Sequence, residues 1–261
     1  MKLKRFFVLI AVIAIIALVP GDRASADNDN NSLQAVPFTF VGNTGDCGPG
    51  TPAGSRIVTA AWLGGMGLPD ADGDTALNSP NPATRNDPHS GLLLNKNGPT
   101  ADCSSAGATI KGVSGMTVTA TTALGYDYRL GGHCGAGAPR FNVDTDKGFF
   151  FVGCANSTQT PAPQDPAQWI RTRSVLATCG SECFPSAIPV GAKIKSISIV
   201  FDEGTDAASL SDPAGVGLAV IDNIYVNGQT IRSGSGIATG NGKNNDKGKG
   251  KDHGDDNDDQ D

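Results

Sequence analysis

Six cysteines, Cys47, Cys103, Cys134, Cys154, Cys179 and Cys183, all lie downstream of a short apolar segment at the N-terminus, and this arrangement constrains the chain more than anything else in it. Lys2, Lys4 and Arg5 precede an unbroken apolar run from Phe6 to Val19, which is short for a bilayer-spanning helix. Pro20 ends the run, and Ala24-Ser25-Ala26 offers the small residues that a signal peptidase reads. The pattern predicts a signal peptide over 1–26, a flexible segment over 27–35 and a secreted, extracellular protein. No second long apolar stretch follows, so no membrane span is expected after cleavage.

An even number of cysteines in an exported chain reads as three disulfides. Zinc is the competing use, but the sequence has no C-x-x-C and only three histidines, His89, His133 and His253. The preferred pairing is Cys179 with Cys183, Cys134 with Cys154, and Cys47 with Cys103. The second pair follows from a hairpin: Phe141-Asn-Val143 runs through Asp144-Thr-Asp-Lys-Gly148 into Phe149-Phe-Phe-Val152, and extending its strands brings those two cysteines nearly opposite.

Gly (35 residues) and Pro (16) punctuate short apolar runs, which is the pattern of an all-β sandwich or barrel. Lys195 to Phe201 alternates through Ile197, Ile199 and Phe201. Val216 to Val226 presents Val216, Leu218, Val220, Ile224 and Val226 on one face, and Leu124 to Leu130 alternates around Tyr126 and Tyr128. Further strands are expected at Val36 to Val41, Arg56 to Trp62, Gly91 to Asn95, Ala108 to Val113, Met116 to Thr121 and Trp169 to Arg173. One domain over 36–233 accounts for roughly two hundred residues. Beyond it, 234–261 is a polar tail without large apolar residues after Gly240, expected to stay disordered. The tail reads as a solvated solubility segment, an electrostatic spacer or a weak calcium binder.

Removing the leader takes away four basic residues and one acidic one, moving the formal charge from −6 to −9. An acidic chain lacks the basic stripe that nucleic acid requires, so that partner is excluded. No H-E-x-x-H, G-x-S-x-G or G-x-x-x-x-G-K-[ST] motif is present. Glu182 lies inside the tight Cys179 to Cys183 loop and Glu203 ends a strand beside Asp202, a poor start for the facing carboxylates of a hydrolase.

A binding face is the better reading. Asp127 and Arg129 lie opposite Tyr126 and Tyr128, Arg140 and Asn142 lie opposite Phe141 and Val143, and Trp169 joins Arg171 and Arg173. If these strands are neighbours in one sheet, they form a polar surface with one aromatic platform, suited to stacking on a sugar ring while Arg, Asp and Asn bond its hydroxyls. The competing reading is a solvated sheet face on which Asp127 pairs with an arginine. His133 and His89 are expected in surface turns. For calcium there are two candidate places: Asp70-Ala-Asp72-Gly-Asp74, within the long turn-rich stretch from Gly64 to His89, and Asp222. Asp222 shares a side with Val220 and Ile224 by alternation, so either it is buried with a partner or metal, or a bulge swings it to solvent.

Val220-Ile-Asp-Asn-Ile-Tyr-Val-Asn-Gly228, preceded by Ile197-Ser-Ile-Val-Phe-Asp202, resembles the closing strands of secreted jelly-roll modules, including carbohydrate-binding modules and lectin-like sandwiches. The stretch Gly132 to Val143 together with Phe149 to Cys154 also resembles a group of bacterial secreted proteins without assigned activity. The resemblance implies a jelly-roll β-sandwich, a glycan as ligand, no catalysis, and a structural calcium at Asp222. The alternative function is a structural or adhesive cell-envelope protein.

Overall fold

The structure is a computed structural model, and it describes residues 32–70 and 89–240. The leader at 1–26, Asp72 and Asp74, and the tail from 241 onward lie outside the described residues. Two antiparallel sheets face each other, with strands numbered along the chain. One has the order β1 (Gln34–Val41), β4 (Ser104–Lys111), β11 (Ile194–Phe201), β6 (Arg140–Thr145), β7 (Gly148–Val152) and β10 (Cys183–Phe184). The other runs β14 (Ile237–Thr239), β2 (Val58–Leu63), β3 (Gly91–Lys96), β12 (Leu218–Val226), β5 (Ala123–Arg129), β9 (Trp169–Val175) and β8 (Thr158–Pro161), with β13 (Gln229–Ile231) paired to β12.

Alternation puts Ile110, Phe141, Val143, Ile197, Ile199 and Phe201 of the six-stranded sheet against Trp62, Leu92, Leu94, Tyr126, Tyr128 and Ile221 of the eight-stranded sheet, in one buried core. The sequence periodicity therefore finds the fold class and most strands. It misses β8, β10, β13 and β14, which are two to four residues long and give alternation too few positions to register. Met116 to Thr121 is not a strand. Thr117 makes an isolated bridge to Lys193, and the Val118 amide bonds the Ala192 carbonyl.

The largest correction concerns β12. Its register against β5 slips between Asp222 and Tyr225, and Asn223 takes up the extra residue at φ 45°. The phase of the strand inverts there. Ala219, Ile221, Ile224 and Val226 face the core, whereas Val220 and Asp222 point to the other side. Ile224 thus does not share a face with Asp222, as unbroken alternation predicts.

The three disulfides pair as expected: Cys47–Cys103, Cys134–Cys154 and Cys179–Cys183. They point to an oxidising, extracellular-type environment. Among the described residues, no helix is long and apolar enough to cross a membrane. Strand pairing also runs past Ser233, where the sequence predicts the domain to end. β14 pairs with β2, and Gly234 lies so close to the Trp62 indole that a Cβ there would sit 2.3 Å from Nε1.

Candidate functional site

The polar side chains expected to share one surface are divided between the two outer faces of the sandwich. β5 and β9 are neighbours in the eight-stranded sheet, so Asp127, Arg129, Trp169 and Arg171 do lie together. Arg140 and Asn142 belong to β6, in the opposite sheet. A single platform containing all six residues is therefore not formed.

On the outer side of the eight-stranded sheet, Asp127 is completely buried. Arg171 donates to both its oxygens, from Nε at 2.9 Å and Nη2 at 2.9 Å, and Asn223 Nδ2 donates to Oδ2 at 2.9 Å. The carboxylate is thus held by a bidentate guanidinium and an amide, the geometry that compensates a buried charge. Asn223 reaches Asp127 because the bulge turns it outward, and it also donates to Gln164 Oε1 at 2.7 Å. Gln164 in turn donates to the Pro69 carbonyl at 3.1 Å, joining the loop before β9 to the loop after β2.

Those two loops cover a second, smaller apolar cluster of Leu68, Ala162, Trp169 and Val220. Trp169 is only 2 % exposed, so it is a packing residue and not the open stacking platform expected of it. Arg129 remains at the surface and bonds Gln168.

Asp222 is likewise fully buried, which removes the alternative in which the bulge swings it to solvent. Its Oδ2 accepts the Leu68 amide at 2.7 Å and its Oδ1 accepts the Asn223 amide at 2.5 Å. Gly67 allows this approach, since a Cβ there would lie 2.6 Å from Asp222 Oδ2 and 2.1 Å from the Ser90 carbonyl oxygen. Burial pushes the Asp222 carboxyl well above the ordinary carboxylate range, against the pull of the two amides and with the help of Asp70 and Asp127 nearby.

The described residues do not fit a calcium ion at Asp222. Both of its oxygens face N–H donors, which cannot ligate a cation, and Asp127 is committed to Arg171 and Asn223. Strand β1 carries no acidic residue, and Asp70 accepts the Ser90 amide at 3.1 Å. No group of three or more His, Cys, Asp or Glu side chains among the described residues is placed to hold a metal.

The outer face of the six-stranded sheet has a different chemistry. Register places Val36, Thr109, Ser198, Asn142, Phe151 and Phe184 side by side on six successive strands, a row about 24 Å long at about 4.8 Å per strand. Phe149, Phe151 and Phe184 form an aromatic group at one end, with ring centroids 5.1 Å and 6.3 Å apart along the series. Phe184 is 66 % exposed and Phe149 48 %. Arg140 lies 5.2 Å from the Phe151 ring and makes a bidentate pair with Asp202, at 2.6 and 2.7 Å. This aromatic group, unlike Trp169, was within reach of the sequence: Phe150 and Val152 face inward, so Phe149 and Phe151 must face out.

His133 is also not the surface residue expected. It is 1 % exposed, its Nε2 contacts Glu203 Oε2, and its Nδ1 lies 3.7 Å from Asp212 Oδ2. Gly135 and Gly137 make room for the Glu203 carboxylate, because a Cβ at either would lie within 2.5 Å of one of its oxygens. The arrangement ties the loop before β6 to the loop before β12, with Asp212 buried and Glu203 partly open to solvent. No family model, curated protein or solved structure matches this chain, so the geometry alone carries the functional reading.

Proposed function

We propose that the protein is an exported, non-catalytic binding module, and that the outer face of its six-stranded sheet takes a neutral glycan chain. The export reading rests on the apolar leader followed by cysteines that pair in three bridges. The observation that carries the ligand reading is the row Thr109, Ser198, Asn142, Phe151 and Phe184. Its rings offer flat apolar surface to a pyranose and its hydroxyl and amide groups offer hydrogen-bond partners to the sugar hydroxyls. Arg140 is paired with Asp202 and Lys195 with Asp144 beside the row, which favours an uncharged polymer over an ionic one. An exposed aromatic group of this kind on a folded domain marks an interaction surface.

Affinity electrophoresis of the oxidised protein through gels containing neutral polysaccharides tests the reading. Retardation on at least one polymer is expected, reduced by Phe151→Ala and abolished by Phe151→Ala with Phe184→Ala. Unretarded wild type on cellulosic, mannan, xylan and glucan polymers alike, or a double variant that migrates like wild type, overturns it.

A further inference from the structure

Arg173 crosses the opposite face of the molecule in an unusual way. It starts on β9, and its stem runs over Gly125 of β5, where a Cβ would lie 3.0 Å from its Cδ and 2.1 Å from the Thr172 carbonyl oxygen. Its guanidinium comes to rest 4.5 Å from the ring of Tyr225 on β12, the residue paired with Gly125. Any side chain larger than hydrogen at position 125 blocks that path. The guanidinium plane is fixed on one side by the ring and at Nη1 by the Thr172 carbonyl at 2.6 Å.

The charges around it do not balance among the described residues. Asp127 is the one carboxylate in ion-pair contact, and Arg171 already engages both its oxygens; Arg173 Nη1 stands 3.7 Å from Oδ1. Asp222, the neighbouring acid, is pushed toward its neutral form by burial. Two guanidiniums therefore share one counter-charge at a surface where each remains more than a quarter exposed. A partly desolvated, pre-oriented guanidinium with unused donors is suited to a planar oxyanion. Register adds hydroxyls to the same face, since Thr158 pairs with Arg173, Thr160 with Arg171 and Thr230 with Tyr225, and all three threonines are exposed.

We infer that Arg173, stacked on Tyr225 and flanked by Arg171 and the threonines of β8, forms a second ligand site that takes the carboxylate of an acidic sugar. The guanidinium fork meets the carboxylate, the exposed hydroxyls of Thr158 and Thr160 meet the ring hydroxyls, and the site works independently of the aromatic row on the other sheet.

Calorimetric titration of the oxidised full chain with trigalacturonate, at low and high salt, tests this. The expected result is binding that weakens with added salt, absent with the neutral galactose trisaccharide, and reduced about tenfold or more by Arg173→Ala. Arg173→Lys keeps the charge and loses the fork, so it is expected to fall between the two; Tyr225→Leu, with the guanidinium unsupported, also weakens binding. These two variants carry the test if Arg173→Ala lowers the melting temperature enough to prevent titration. Phe151→Ala, on the opposite sheet, leaves trigalacturonate binding unchanged, which separates this site from the neutral-glycan face. Absence of binding by wild type, equal binding of the neutral trisaccharide, equal binding of triglutamate, or an Arg173→Lys variant indistinguishable from wild type overturns the inference.

Discussion

Asp222 accepts the backbone amide of Leu68 at 2.7 Å across 154 residues of sequence, and this contact fastens the loop after β2 onto the last long strand of the eight-stranded sheet. The contact exists because the Asn223 bulge keeps the Asp222 carboxyl on the outer face while returning Ile224 to the core. Two consequences of one inserted residue thus meet at the same place. Asn223 satisfies Asp127, and Asp222 satisfies the loop.

The buried Asp222 carboxyl makes stability depend on pH. In the unfolded chain it loses its proton near the ordinary value of about 3.9, whereas in the fold burial raises that point. Between the two the native state binds more protons, so this contribution is complete below about 4 and is lost as pH rises through the folded value. Asp222→Asn removes the titration. The unfolding free energy of wild type relative to Asp222→Asn is therefore expected to shrink from pH 4 to pH 8 in urea titrations. A difference independent of pH would show that Asp222 is ionised throughout.

Lys96 gives the opposite sign through its partner. Its ammonium is fully buried and held by Asp102 Oδ1 at 3.0 Å and by the carbonyls of Asp202, Thr100 and Asp102 at 2.8, 3.1 and 3.2 Å. Burial alone pushes the Asp102 carboxyl up, but hydrogen bonds from Ser104, Ser55 and Lys96 outweigh it and hold the carboxyl at about 2. A depressed acid contributes stability above its unfolded pKa, here about 2 kcal/mol, which disappears as pH falls from about 4 to about 2. Lys96→Met leaves Asp102 charged and takes the ammonium donor from the Thr100 and Asp202 carbonyls, at an expected cost of about 3 to 5 kcal/mol in chemical denaturation. A loss under about 1 kcal/mol contradicts the assignment of Lys96 as the cation that closes this corner.

Alternation made the sandwich legible because most strands have a clear inner face, and the hairpin from Phe141 to Val152 even placed Cys134 opposite Cys154. The same reasoning failed at β12, where nothing in Val220-Ile-Asp-Asn-Ile announces which residue is the extra one; a left-handed Asn is a permitted but not a required solution. It failed again at Trp169, whose outward phase was right. The side chain is buried because two loops fold over that face, and loop coverage leaves no periodic trace. Arg140 and Arg171 sit on equally alternating strands, and only the long-range strand order decides that they belong to opposite faces.

The Cys134–Cys154 bridge pins the loop after β5 to the segment that follows β7, and His133 and Glu203 meet beside it. Cys134→Ala with Cys154→Ala frees a closed segment with a sequence separation of 20, a change expected to cost about 3 kcal/mol. Thermal unfolding monitored by near-ultraviolet dichroism measures it. Hydrogen exchange adds location: faster exchange of the His133 amide, now bonded to the Leu218 carbonyl, is expected in the double variant well before exchange rises in β11. Uniform acceleration across the sheet contradicts a local role.

The loops over the outer face are expected to open before the sandwich core, because among the described residues the cluster beneath them has four buried members, Leu68, Ala162, Trp169 and Val220, whereas the central core spans both sheets. The chain's two tryptophans separate the events. Trp62 sits in the central core with Nε1 donating to the Ala35 carbonyl at 2.8 Å, and Trp169 reports on the loops. With Trp62→Phe as background, the emission of Trp169 is expected to shift to the red at lower urea than the loss of β-sheet dichroism. Asp127→Asn should widen that gap, since it removes the negative charge and replaces one of the two oxygens that accept from Arg171 and Asn223 with an NH2 group, weakening the layer by about 2 to 3 kcal/mol, less than for a fully buried pair because Arg171 reaches solvent. Coincident transitions in both backgrounds would instead make the loops and the sandwich one cooperative unit.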